Sequence, residues 1–398
     1  MIDEPGLDDF RAGLRSWIER EVPADWRDRL RGDLRELYVW WASALRDAGY
    51  GPPHWAREHG GPGLSLARQL VVYEEVALGD CPDYPGLFSC AYNHVYSTLT
   101  AHGTPDQAAA HLPPILAHDR VWAQAFSEPE AGSDLASLRT TATRDGDRYI
   151  VNGQKIWSTR APHADWAILL ARTDPDAPKR RGLSYFLVDL SSPGIEVRPI
   201  KQITGVDDDF AEIFFTGVSV PAANLVGREN DGWRVAQTTL ASERGPLAVP
   251  TALRLRRMLD AALPLAIGRA EDEGADFATS SVGRRYADLH ADVEILAELI
   301  YGTLARFIEA GTPGVEASLI KLFLSGLMQR TSEFGLDMAG AAGHYEQPGK
   351  VVRGLDTHDW LVEHLESWVW TIAGGTDQIQ RNIIGERVLG LPRDPLVS

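Results

Sequence analysis

Between residues 120 and 228 the chain changes texture, and this change restricts its fold more than any other feature of the sequence. Short β-prone runs follow one another there: Val121–Phe126, Thr140–Arg144, Tyr149–Val151, Trp166–Ala171, Leu183–Val188, Ile195–Pro199 and Ala211–Phe215. Asp-Gly, Asn-Gly and Pro-Gly pairs break them up, as expected of strands joined by tight turns. Arg144-Asp145-Gly146-Asp147 before Tyr149-Ile150-Val151 is a hairpin signal, because the Asp-Gly pair accepts the positive φ that a two-residue turn demands. Outside this interval the apolar spacing is helical. Phe10, Leu14, Trp17 and Ile18 form one stripe, Leu34, Leu37, Trp41, Ala44 and Leu45 another, and Leu66–Leu78 a third. After Gly232 the segments Leu240–Leu265, Arg284–Ala310, Val315–Gly340, His358–Thr371 and Gln378–Val388 are each long enough for a helix. Strands and helices do not alternate, which excludes a doubly wound nucleotide-binding sheet. The expectation is an α+β chain in three parts: a helical domain over 1–119, an antiparallel β domain over 120–228 and a helical bundle over 229–398.

With 398 residues, several cores are available. The 39 basic and 56 acidic residues leave a net charge of −17, which opposes a general nucleic-acid binder. Cys81 and Cys90 cannot make a disulfide framework and lack zinc spacing. His111 and His118, like His358 and His364, miss the i, i+4 spacing of helical metal ligands, so no metal is expected. No apolar run approaches the ~18 residues of a membrane span. The acidic start MIDEPGLDDF is unlike a secretory signal. A cytoplasmic chain without membrane attachment is the expectation.

Three motifs carry more specific information. Gln124-Ala-Phe-Ser-Glu-Pro-Glu-Ala-Gly-Ser-Asp134 is followed by Val151-Asn-Gly-Gln-Lys-Ile-Trp-Ser-Thr159, and near the C-terminus by Ala373-Gly-Gly-Thr-Asp-Gln-Ile-Gln-Arg381 with Glu386-Arg-Val-Leu-Gly390. In this order and at these separations they resemble the acyl-CoA dehydrogenase family, and the resemblance spans essentially the whole chain. It implies a noncovalent FAD and α,β-dehydrogenation of an acyl thioester on CoA or a carrier protein. It also implies a homodimer or homotetramer and an electron-transferring flavoprotein as acceptor.

Carried over position by position, the resemblance places Phe126, Ser127, Gly132, Trp157, Ser158 and Thr159 beside the flavin, with Ser133 on the CoA side. Thr376 and Gln378 match contacts to the ADP half of FAD. Asp337 and Gly340 fall in a stretch that reaches a neighbouring subunit's FAD, although Asp337 and Ala341 depart from its usual Gln and Gly. Arg269 falls near a pyrophosphate-binding Arg, with Arg284 and Arg285 as alternatives. For isolated residues the bland readings would win: a core Trp, a satisfied strand hydroxyl, a solvated Arg.

The commonest pattern of the family has its catalytic Glu at the position of Gly374. Some members carry the base about 130 residues earlier, directly before an Arg, and here Leu240-Ala-Ser-Glu-Arg244 stands in that place. The resemblance therefore implies Glu243 as base and Arg244, with Gly375, on the substrate side. The resemblance also implies that the backbone N–H at Gly374 polarises the thioester, and that the absence of a side chain there leaves room for a bulky acyl group. Two other readings keep the fold: an O₂-using oxidase or monooxygenase, and a non-catalytic partner subunit of a heteromeric dehydrogenase.

Overall fold

In the computed structural model, residues 4–26, 28, 33–205, 208–242, 248–310, 316–344 and 359–392 are described, with backbone only for 307–310. The chain forms two compact units. One comprises Met1–Val22, Leu66–Asp83 and Arg244–Ser398, and the other Pro23–Ser65 and Tyr84–Glu243.

The first unit is helical. It contains α1 (Leu7–Glu21) and, after an excursion of the chain into the other unit, α3 (Leu66–Leu78). Three long helices follow late in the sequence: α7 (Ala248–Asp272), α8 (Ser281–Ala310) and α9 (Glu316–Ala339). Along α7 the buried positions Val249, Ala252, Leu255, Leu259, Ala262, Ala266 and Ala270 recur every three or four residues. This is the stripe that a helix needs to pack on its neighbours. From Val249 to Ala266 they meet Leu289, Val293, Leu296 and Ile300 of α8 and Leu324, Leu327 and Met328 of α9 in one core, which also takes Leu70 of α3. Two short helices, α10 (Trp360–Ser367) and α11 (Asp377–Ile383), pack on α9.

The second unit joins helices to a sheet. Here lie α2 (Leu34–Asp47), a π-turn over Cys90–Val95 running into α4 (Tyr96–His102), α5 (Pro105–Leu116) and α6 (Gly232–Ala241). Local sequence sets the helix starts. Asp33 accepts from the Arg35 and Glu36 N–H groups, and Thr104 and Gln107 make a reciprocal capping box ahead of Pro105. The strands are β1 (Trp122–Ala125), β2 (Thr141–Asp145), β3 (Arg148–Thr159), β4 (Trp166–Arg172), β5 (Leu183–Asp189), β6 (Ile195–Ile200), β7 (Phe210–Pro221) and β8 (Leu225–Val226). They run β6-β7-β3-β2-β4-β5-β8 across one sheet, with β1 also paired to β4. The expected hairpin is β2–β3, in register from Asp145 opposite Arg148, with Gly146 at φ 62°.

Two expectations need correction. The β region is not wholly antiparallel, because β1 runs parallel to β4 and β2 meets β4 in parallel at Thr141 and Arg172. The segment Leu240–Leu265 is not one helix: α6 ends at Ala241 and α7 begins at Ala248. The sequence between them carries Gly245-Pro246, and this pair punctuates helices whatever the apolar spacing around it.

Candidate active site

In the second unit the first motif occupies the end of β1 and the turn after it. The Phe126 side chain is buried, edge-on to Tyr185 with centroids 5.7 Å apart. Ser127 is half-buried, and its carbonyl accepts from the Ile156 N–H at 2.9 Å. Glu128 and Ala131 exchange backbone hydrogen bonds at 3.2 and 3.0 Å, closing a turn over Pro129 and Glu130 that leaves Gly132 and Ser133 exposed. Beyond it, Asp134 pairs with Lys179 at 2.9 Å, and the Arg180 guanidinium lies 5.3 Å from the Trp233 ring.

Lys155 organises this corner. It is fully buried, and its Nζ donates to the Phe126 carbonyl at 2.8 Å and to Glu128 Oε1 at 2.9 Å. The same carboxylate accepts from the Arg139 and Thr140 N–H groups at 2.6 and 2.8 Å. Burial pushes the Lys155 ammonium down to about 8, against the pull of Glu128. Burial also opposes ionisation of Glu128, yet Lys155 and the two N–H donors hold its carboxyl below the ordinary value. Neither residue was singled out from sequence. The alternating burial of β3, which puts Lys155 inside, is a property of the folded sheet, and a buried ammonium there demands a partner.

The second motif lies on a β-bulge. Lys155 pairs with Ile213 and Ser158 with Ala211, so Ile156 and Trp157 together oppose Glu212. The extra residue resets the alternation. Lys155 and Ser158 both face the core, while Trp157, at φ 62°, is turned outward with 57% of its surface exposed. Bulges re-aim side chains in this way, and a left-handed Trp is strained backbone of the kind found at functional sites. The Trp157 ring stands edge-on to Phe210, Thr159 is exposed, and the buried Ser158 Oγ has no hydrogen-bond partner among the described residues.

A polar seam runs to the end of α6. His94 Nδ1 lies 2.9 Å from Ser242 Oγ, Thr98 Oγ1 2.8 Å from Thr239 Oγ1, and His102 Nε2 2.7 Å from Thr238 Oγ1. Tyr185 joins Thr239 at 3.1 Å. The Ser242 hydroxyl donates to the Thr239 carbonyl at 2.7 Å, so Ser242 ties the His94 ring to the last turn of α6. Burial pushes His94 down to about 4, against a hydrogen bond to the Thr239 backbone, and the ring is neutral near pH 7. The signal missed here was the spacing of His94, Thr98 and His102, which places all three on one helical face. The seam ends at Ser242. The expected base Glu243 and its neighbour Arg244 lie outside the described residues.

In the helical unit the third motif forms the corner before α11. Gly374 and Gly375 are exposed, with φ of 66° and 87°. Thr376 caps α11, accepting from the Ile379 N–H at 3.2 Å, and Gln378 is exposed on its first turn. Asp377 accepts from Lys321 Nζ and Ser325 Oγ on α9, each at 2.8 Å. Arg254 ties α7 to α10 by reaching Glu363 at 2.5 Å and Glu366 at 3.7 Å.

The chain carries the family's domain models along its length: "Acyl-CoA dehydrogenase, N-terminal domain" over residues 5–119, "middle domain" over 123–218 and "C-terminal domain" over 230–389. It belongs to the acyl-CoA dehydrogenase family. It is 36% identical over 395 residues to acyl-CoA dehydrogenase IpdE1 of Mycobacterium tuberculosis, covering 98% of each chain. Among solved structures it is similar to a chain of the ChsE4-ChsE5 complex from Mycobacterium tuberculosis, at 31% identity and a TM-score of 0.84, covering 99% of this chain and 100% of that one. It is also similar to the Tcur3481-Tcur3483 steroid ACAD, at 29% identity and a TM-score of 0.82, covering 99% of each.

The remaining expected positions of this acyl-CoA dehydrogenase are in the helical unit. Arg269 is half-exposed and pairs with Glu273 one turn on, at 2.8 Å. Asp337 pairs with Arg285 of α8 at 2.7 Å, so the Gln-to-Asp departure has a local charge partner. Gly340, at φ 59°, follows the last residue of α9. Trp368 is 57% exposed, with Ile372, Leu389 and Leu391 also exposed. Among the described residues no cluster of His, Cys, Asp or Glu could hold a metal ion, and no helix is long and apolar enough to cross a membrane.

Proposed function

We propose that the chain catalyses FAD-dependent α,β-dehydrogenation of a bulky acyl-CoA, with the Glu243 carboxylate as base. The observation that carries this reading is Gly374: the usual base position has no side chain and adopts φ 66°, while Glu243 directly follows the residue at which the α4–α6 seam ends. Glu243 takes the α-proton, and the electrons of the Cα–H bond form the Cα=Cβ double bond as the β-hydrogen leaves with its own pair. When bound, FAD supplies the hydride acceptor at flavin N5. The residues present fit an isoalloxazine ring: an outward-turned indole at Trp157 offers a flat apolar face, and the Ser127 and Thr159 hydroxyls and the backbone beside Phe126 offer polar partners. Gly132 adds close backbone approach, and the unpartnered Ser158 hydroxyl lies within the same bulge. Thr376, Gln378, Arg269, Asp337 and Gly340 are assigned to the remainder of the cofactor. Gly374 N–H polarises the thioester oxygen, and Ser133, Arg244 and Gly375 hold the substrate's CoA side. Lys155 and Glu128 orient the Phe126–Glu128 backbone without touching substrate.

A bulky acyl group is favoured by the space that Gly374 leaves and by the similarity to a steroid ACAD. Electron-transferring flavoprotein is the proposed acceptor. A second copy on the exposed Trp368, Ile372, Leu389 and Leu391 would make the homo-oligomer. A heteromeric assembly is the second reading, favoured because two similar solved structures are named for two different chains.

An anaerobic titration of the flavoprotein with acyl-CoA thioesters tests the proposal. Wild type should lose its flavin absorbance with polycyclic or branched thioesters, and Glu243→Gln should keep its yellow colour but bleach about 100- to 10,000-fold more slowly. Bleaching of Glu243→Gln at the wild-type rate would place the base elsewhere. A clear preference for short straight chains would remove the bulky-substrate assignment.

A further inference from the structure

We infer that Gln380 is a positioning residue for the thioester oxygen. Its side-chain amide holds the Gly374–Gly375 corner so that the Gly374 N–H keeps one direction. The inference rests on the proposed role of that N–H and adds the side chain that makes it dependable.

Two successive exposed glycines at φ 66° and 87° have more conformational freedom than any other residue pair. That is a poor base for a hydrogen-bond donor whose value lies in being fixed before charge develops. The structure anchors the corner from both sides. Upstream, the Ala373 N–H donates to the Val369 carbonyl at 2.8 Å. Downstream, Gln380 Nε2 donates to the Gly374 carbonyl at 3.0 Å and to the Gly375 carbonyl at 3.3 Å. The Gly374 N–H lies between these anchors, so its direction is set by them.

Gln380 is suited to this role. It is 1% exposed and stands on α11, which Thr376 caps and Asp377 ties to α9. The two protons of its amide nitrogen match two carbonyls. A flipped amide would set Oε1 against the same two oxygens, so the orientation is fixed. The fold tolerates a cost for it, because Oε1 is buried with no partner among the described residues, and orphaned acceptors destabilise. Gly375 is fitted to the same contact: a Cβ there would meet Gln380 Nε2 at 2.9 Å. In a chain whose residue 374 has no side chain to pack, the corner depends on this backbone hold.

The test uses the FAD-loaded protein and two thioesters. Cinnamoyl-CoA, which has no hydride to give, reports carbonyl polarisation as a red shift of its ultraviolet band and a lowered C=O stretch. Its saturated counterpart, 3-phenylpropanoyl-CoA, reports turnover. Gln380→Met keeps length and volume and removes both donors. We expect kcat to fall about 100-fold, the scale of a misplacement near 1 Å, with KM nearly unchanged, flavin content kept and the carbonyl shift lost. Gln380→Glu, ionised, faces two carbonyl oxygens; protonated, it regains a donor. Its kcat should recover as pH falls, while that of Gln380→Met does not. A wild-type carbonyl shift retained in Gln380→Met, or a Gln380→Glu variant that tracks the wild-type pH profile, overturns the role of Gln380 alone. A wild-type complex with no carbonyl shift overturns the proposed role of Gly374 and this inference with it.

Discussion

Lys155 illustrates how far single residues were readable. The motif Gly-Gln-Lys-Ile-Trp pointed to Trp157 as the residue of interest, and its indole is exposed. The Lys beside it is the residue on which the local structure turns. Its ammonium serves one carbonyl and one carboxylate at 2.8 and 2.9 Å with no solvent to share the work. Removing one member of such a buried pair leaves the other charge uncompensated. Lys155→Met should therefore destabilise the fold by about 3–5 kcal/mol in urea unfolding. Adding Glu128→Gln should restore part of that loss, because the neutral amide needs no cation. If the double variant is as unstable as the sum of the singles, the pair is not coupled. The left-handed backbone of Trp157 was not legible at all, because a bulge is a property of two strands in register.

At the scale of elements, apolar spacing located most helices and strands to within a few residues. It failed between Leu240 and Leu265, where continuous helical spacing hid the end of α6 and the start of α7. The C-terminal corner was recognised by motif, but its construction follows from capping. Thr376 accepts from the Ile379 N–H at 3.2 Å, so Thr376→Ala should cost about 1 kcal/mol while Thr376→Ser, which keeps a capping hydroxyl, should be close to neutral, measured by thermal or urea unfolding. Equal losses for both variants would argue against the hydroxyl cap. The α4–α6 seam was legible in principle. Residues 94, 98 and 102 share a face by spacing alone, but their partners on α6 and β5 are far away in sequence.

The whole molecule responds to acid through its buried histidines. Burial pushes His94, His111 and His118 each down to about 4 from an ordinary 6.5, with Arg120 adding to the effect at His111 and Arg46 at His118. Above pH 6.5 these rings are neutral in both folded and unfolded chains and contribute no pH dependence. Between 6.5 and 4 the unfolded chain takes up protons that the folded one refuses. Stability should therefore fall with pH across that window, by up to about 1.4 kcal/mol per pH unit for each histidine. Urea midpoints between pH 7 and pH 5 check this, and a flat profile would contradict it. The order of helices, sheet and helices, the family and the motif positions were all contained in the sequence, because each rests on residue type and short-range spacing. The tertiary structure alone decided which residues hold the motifs in place: Lys155 under Phe126, Gln380 under the two glycines, and His94 against Ser242. Their partners lie in other strands, turns or helices, and burial, which fixes both their protonation and their direction, exists only once the chain has closed around them.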